Sequence, residues 1–192
     1  MNTKILLPVA LVAGIVVAQA GVQNGTMDGS KMNPMVGGEM MYANKDIVTN
    51  AVASKDHTTL VAAVKAAGLV ETLQGKGPFT VFAPTNGAFA ILPDGTVDTL
   101  LKPENKDTLT KILTYHVVSG TYDAKRIIAL IKKGGGSATL KTVSGGTLTA
   151  RLNGPMNVVL VDEKGGTASI STYDVRQSNG VIHVIDKVLM PN

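Results

Sequence analysis

The chain contains no cysteine and no tryptophan. A disulfide framework, a thiolate metal site and a cysteine nucleophile are therefore excluded. Small exported domains often rely on disulfides, so this chain must rely on packing alone. Aromatic residues make up only 4% of the sequence, which leaves Val, Ile, Leu and Ala to build the core. The formal net charge is a modest +4. With so few rings for base stacking, that charge gives no basis for nucleic-acid binding. At 192 residues the chain is long enough for one domain with a substantial core.

Catalytic motifs are also missing. There is no Gly-x-Ser-x-Gly elbow and no phosphate loop; Gly75-Lys76 lacks both the upstream glycine and the following hydroxyl. Gly134-Gly135-Gly136 follows a helical pattern instead of opening one, so it reads as a stop signal. The histidines His57, His116 and His183 have no neighbouring histidine at ligand spacing, and no metal site or cofactor is expected.

The N-terminus carries an address. Lys4 supplies a positive start, Ile5 to Val17 follow without charge, and Ala18-Gln19-Ala20 gives a small-x-small cleavage pattern. This predicts a signal peptide over 1–20, cut after Ala20, and a secreted or periplasmic product. The thirteen-residue apolar run is short of the roughly 20 residues a spanning helix needs. No lipidation cysteine is present and no later run is long enough to span, so release without a membrane anchor is expected.

Residues 21–41 read as a flexible linker rich in Gly and Met. Met27, Met32, Met35, Met40 and Met41 could offer thioethers to Cu(I), but their spacing is irregular and no His or Cys accompanies them. Met35 to Tyr42 reads better as an apolar strap lying on the domain. Asn24-Gly25-Thr26 is a glycosylation sequon, relevant only in a eukaryotic secretory host.

From Tyr42 the pattern turns helical. Asn44 and Asp56 are candidate caps for two helices, the second closed by Gly68. Phe79 to Phe82 is a short buried strand, after which Thr85 or Asn86 caps a helical turn carrying Phe89. Pro103 opens a helix through Leu109, Ile112 and Leu113, and Tyr115 to Val118 extend as a strand. Asp123 caps a helix through Ile127, Ile128 and Ile131. The period then drops to two. Short strands at 138–141, 147–152, 158–161 and 168–172 are separated by Gly-rich turns. Val181 to Leu189 is apolar on both faces and therefore central. Helices followed by antiparallel strands define an α+β fold.

Two surface readings follow from residue types alone. Lys125, Arg126, Lys132 and Lys133 lie in a stretch with one acid, Asp123, and form either a polyanion patch or a solvated helix face. His57, after a candidate cap, reads as solvated. His183 alternates with Val181 and Ile185 and should share their packed face. His116 reads as a hydrogen-bonded histidine tying helix to sheet.

Three segments together resemble fasciclin (FAS1) domains. Phe79-Thr80-Val81-Phe82-Ala83-Pro84-Thr85-Asn86-Gly87-Ala88-Phe89 resembles the family's first motif, Tyr115-His116 its central pair, and Asn179 to Pro191 its second motif. The resemblance covers 42–192, in the right order. It implies N-terminal helices packed on a largely antiparallel β-sheet wedge or sandwich. It also implies a non-enzymatic adhesion module of the single-domain bacterial type, binding a cell-surface or matrix protein or polysaccharide. The adhesive positions it implies are Tyr115, His116, Asp174 and Val175. Tyr173 and Arg176 depart from the integrin-binding pattern. Asn44-Lys45-Asp46-Ile47 spells part of such a pattern but stands at the domain's start. Some fasciclin-like proteins bind carotenoids, which implies an alternative role as carrier of an apolar ligand, with the Met35–Tyr42 strap as its cover.

Overall fold

A computed structural model describes residues 33–192. The expected signal peptide, the sequon and two of the five linker methionines lie outside the described residues.

The described chain opens with a small hairpin, β1 (Met35–Val36) and β2 (Glu39–Met40). Its turn is Gly37-Gly38, both with positive φ, which glycine adopts without steric cost. Val36 and Met41 are buried in the main core, whereas Met35 and Met40 face solvent. The strap is thus an integral hairpin, and folded structure begins before Tyr42.

Helix α1 (Ile47–Ala53) is capped by Asp46, whose carboxylate accepts the Thr49 N–H at 2.9 Å. Asn44, the expected cap, stands two residues too early. A 3-10 turn at Lys55–His57 leads into α2 (Thr58–Ala67), which has no side-chain cap; Asp56 lies inside the turn. Gly68 ends α2 in the left-handed conformation, as expected. Then come α3 (Val70–Gln74), β3 (Phe79–Pro84) and α4 (Asn86–Ala90), the last capped by Thr85. Asn86 instead accepts the Thr59 N–H at 3.0 Å and donates to Lys55 O at 2.9 Å, pinning α4 to the 3-10 turn.

The chain continues through α5 (Thr96–Leu100), a 3-10 turn at Pro103–Asn105 and α6 (Lys106–Tyr115). Tyr115 closes α6 and His116 caps it, so β4 is only Val117–Ser119. Helix α7 (Ala124–Lys133) starts at Asp123, which accepts the Arg126 N–H at 2.8 Å. The remaining strands are β5 (Ser137–Lys141), β6 (Thr147–Leu152), β7 (Val158–Val161), β8 (Thr167–Gln177) and β9 (Gly180–Ile185).

Seven strands form one sheet in the order β4-β3-β9-β8-β7-β6-β5. All neighbours are antiparallel except β3 and β9, which run parallel from Phe79↔Gly180 to Pro84↔Ile185. The two ends of the sheet meet: Val118 bridges Thr142, and the Val143 N–H donates to Val117 O at 2.7 Å. The sheet therefore curls into a wedge.

Alternation along β3 and β9 divides the interior. Val81, Ala83, Ile182 and Val184 face a cluster with Ile47, Leu60, Val64, Leu109 and Leu113 from the helices. Phe82 and Ile185 point the other way, into the wedge, with Tyr115, Ile127, Ile131, Leu148, Leu160 and Leu189. Both faces of these strands are covered, which is why their sequences show no polar alternation.

Candidate functional site

The residues expected to contact partners are mostly interior. Tyr115 has no exposed surface, and His116 and Val175 keep only 2% and 1%. Tyr115 lies three residues beyond Ile112, on the apolar side of α6. Its hydroxyl donates to Thr147 O at 2.7 Å and accepts the Glu163 N–H at 3.1 Å. Burial, with Glu163 and Asp162 nearby, pushes its pKa up to about 12. His116 meets Ile112 O through Nδ1 at 2.8 Å and accepts the Leu189 N–H at Nε2 at 3.0 Å. The imidazole thus carries its proton on Nδ1 and is neutral. Burial pushes its pKa down to about 4. This pair cannot touch a partner while the fold is intact. It ties the end of α6 to the wedge and to the C-terminal segment, the structural role expected for His116 from the residues alone.

Asp174 differs. Its side chain is about one-third exposed. It sits where the β8–β9 register shifts, between Thr172 and Val175. Its φ of 55° makes it the non-glycine residue with positive φ among those described. Such a conformation costs roughly 1 kcal/mol and persists only when its surroundings impose it. Here the surroundings do. The Asp174 carboxylate accepts the Ala124 N–H at 2.8 Å, in the first turn of α7. Its own N–H donates to His183 Nδ1 at 3.3 Å. His183 Nε2–H donates to Tyr122 O at 2.7 Å, and the Tyr122 N–H donates to Thr80 Oγ1 at 2.8 Å. The His183 ring stacks on Phe82 and meets the Tyr173 edge, with centroids 5.7 and 5.9 Å away. Burial lowers its pKa, opposed by Tyr122 O, Asp174 and Asp123. A neutral, fully buried histidine therefore holds the Asp174 backbone from beneath. Sequence alternation gives the face of His183, but nothing in it points to Tyr122 or Asp174 as partners.

Beside Asp174, Arg176 reaches Asp123 at 3.7 Å. This pair borders an open cleft of about 700 Å³ that also includes Lys76, Pro78, Thr121 and Asn179. Asp174 itself borders a second groove of about 490 Å³ on the α7 side. Asp174 thus borders one concavity, and Arg176, two residues on, borders the other. Asn179 braces the cleft floor. Its amide donates to Leu73 O at 2.8 Å and Gly75 O at 3.1 Å, and its oxygen accepts the Ile47 N–H at 3.0 Å.

His57 corrects an expectation of exposure. It is 3% exposed, with Nδ1 2.8 Å from Ser54 Oγ. The β1–β2 hairpin covers it, and Gly37 permits the approach because a Cβ there would strike Ser54 and the backbone of Lys55 and Asp56. Burial lowers its pKa, with the Ala83 carbonyl and Asp56 opposing, yet no acceptor meets Nε2 at hydrogen-bond geometry. The apolar space under the hairpin is about 10 Å³, and a second, between α1, α2 and the sheet, is about 40 Å³. The first is about the size of one water and the second has room for a few. Lys125, Arg126, Lys132 and Lys133 are all exposed on α7.

Comparison with known proteins places this geometry. The Fasciclin domain model matches residues 55–191, and the chain belongs to that family. It is 49% identical over 146 residues to Protein sll1483 of Synechocystis sp. (strain ATCC 27184 / PCC 6803 / Kazusa), covering 76% of this chain and 73% of that one. It is 35% identical over 189 residues to the cell surface glycolipoprotein MPB83 of Mycobacterium bovis, covering 96% and 74%. The fold matches a FAS1 domain pair from the insect cell adhesion molecule fasciclin I, with TM-score 0.67 and 19% identity. That match covers 76% of this chain and 51% of the insect chain, so this chain spans about half of that solved structure. Relatives thus include surface and cell-adhesion proteins. Among the described residues no helix is long and apolar enough to cross a membrane.

Proposed function

We propose that this chain is an exported, non-enzymatic interaction module that binds a cell-surface, matrix or envelope component through the Asp174 corner. One observation carries the reading: a partly exposed carboxylate is held in a strained backbone conformation, on the rim of an open groove, by a network anchored on buried His183. Strain maintained at a surface point is a mark of function. The family's surface and adhesion members support the class of activity. Val175 serves it from inside, as the buried residue of β8 between Asp174 and Arg176, while Tyr115 and His116 hold the fold together.

The test is adhesion of immobilised exported protein to cells or envelope of its own organism. Asp174→Gly keeps the left-handed backbone and removes only the carboxylate. It should lower binding at least about tenfold without loss of stability, as expected when a charged group in a well-packed contact is truncated. Unchanged adhesion by Asp174→Gly and Arg176→Ala would remove this corner from consideration.

A further inference from the structure

Helix α7 carries a basic face that begins at the groove Asp174 borders and extends away from it. Ile127 and Ile131 point into the wedge and are fully buried. On the outward side, Lys125, Ile128, Ala129 and Lys132 recur at i, i+3, i+4 and i+7, the spacing of one helical stripe. The two lysines stand about 10 Å apart along the axis, with the apolar pair between them. Arg126 and Lys133 flank the stripe and are exposed. Across the 490 Å³ groove stands Met156, on the loop between β6 and β7, with 71% of its surface exposed.

Helix stability does not account for this arrangement. Lys132 and Lys133 suit a helix C-terminus, but Lys125 and Arg126 occupy the first turn, where the macrodipole disfavours cations. Arg126 has local partners: it stacks 4.4 Å from the Tyr122 ring centroid and donates to Thr121 O at 2.7 Å. Lys125, Lys132 and Lys133 form no ion pair among the described residues. The nearby acids are engaged elsewhere, Asp123 with Arg176 and the α7 cap, Asp174 with Ala124.

We infer that this face docks on a lipid bilayer carrying anionic headgroups. The four cations meet phosphate groups, while Met156 enters the boundary between headgroups and acyl chains; Ile128 stays packed on the wedge core beneath it. Charge complementarity alone fits any polyanion. The exposed thioether beside the lysine stripe separates a bilayer from an acidic polysaccharide, which offers no apolar layer to receive it. The contact is peripheral and reversible, since the apolar area is small and each cation near an anionic surface contributes only about fivefold in affinity.

The experiment is co-sedimentation of the exported chain, its N-terminus fixed by mass spectrometry, with vesicles of phosphatidylcholine containing 30 mol% phosphatidylglycerol. Binding should fall steeply with added salt and be lost on pure phosphatidylcholine. K125E/K132E should weaken it at least about tenfold, and M156S should weaken it without changing the salt dependence. These side chains are exposed, so circular dichroism and urea midpoints should match the parent. Equal vesicle binding by parent and K125E/K132E overturns the proposal. So does binding to heparin with none to vesicles, which would assign the patch to a polysaccharide. Asp174→Gly takes a carboxylate off the rim of this groove, so it should raise vesicle binding while lowering adhesion, and failure here and failure of the Asp174 reading are separate results.

Discussion

The stability of this domain should fall as pH drops below 6.5, and His116 should be a principal cause. Its pKa is about 4 in the folded state, against 6.5 as the ordinary value. The unfolded chain therefore binds the extra proton in this window and the folded chain does not. Unfolding takes up a proton, so stability is fully present above pH 6.5 and is lost as pH falls towards 4. The full difference is worth about 3 kcal/mol, and about 2 kcal/mol of it is gone by pH 5. The perturbation that isolates it is His116→Ala. At pH 7.5 this change removes the bonds to Ile112 O and Leu189 N–H and leaves the Leu189 N–H without an acceptor in the core. The expected cost is roughly 3 kcal/mol. The variant has no imidazole to protonate, so its deficit relative to the parent should narrow by about 2 kcal/mol between pH 7.5 and pH 5. Urea unfolding followed by circular dichroism at both pH values measures the gap. His57 and His183 are also lowered by burial and steepen both curves alike, so they cancel in the comparison. A gap that stays constant over this range would refute the assignment of a buried, neutral His116.

Three further outcomes follow from the geometry. Asn179→Ala removes three hydrogen bonds that join α1, α3 and the start of β9, and should lower stability by about 3 kcal/mol in urea titrations. Gly180→Ala places a Cβ against Phe79 O in the parallel β3–β9 ladder, so it should cost at least about 2 kcal/mol and lower Tm by several degrees. At position 174, Gly should be tolerated within about 1 kcal/mol, whereas Val, which resists positive φ, should destabilise by more than about 1 kcal/mol in the same assay.

Local chemistry made much of the fold readable. Asp123 caps α7 and Gly68 stops α2 because both act within one turn of chain. The short strands after 137 announce themselves by period two and by glycine turns. The run from Val181 to Leu189, apolar on both faces, signals an internal strand, although the strand itself ends at Ile185. What escaped was set by distant partners. Ser54, Lys55, Asp56 and His57 look like a solvated turn, and only the hairpin folding over them makes His57 an interior residue. The resemblance offers Tyr115 and His116 as contact positions, whereas the residues alone read His116 as a structural tie. Their burial was implicit in the spacing from Ile112, since residues three and four along a helix share its face. Asp174 could be placed by resemblance, but its left-handed backbone arises from a register shift between β8 and β9, which no local pattern in a single strand reveals.

The parallel pairing of β3 with β9 has a consequence for how the domain comes into being. These two internal strands of the sheet are far apart in the chain, Phe79 pairing with Gly180, and β9 comes last of the described elements. The helices and β3 can be complete in the growing chain while the strand against which their core closes has yet to arrive. Loop closure on this scale is slow, and native contacts reward it only at the end. A chain built this way stays open until almost all of it is present. The order of the strands is thus itself a timer, in which closure of the core waits for the end of the chain.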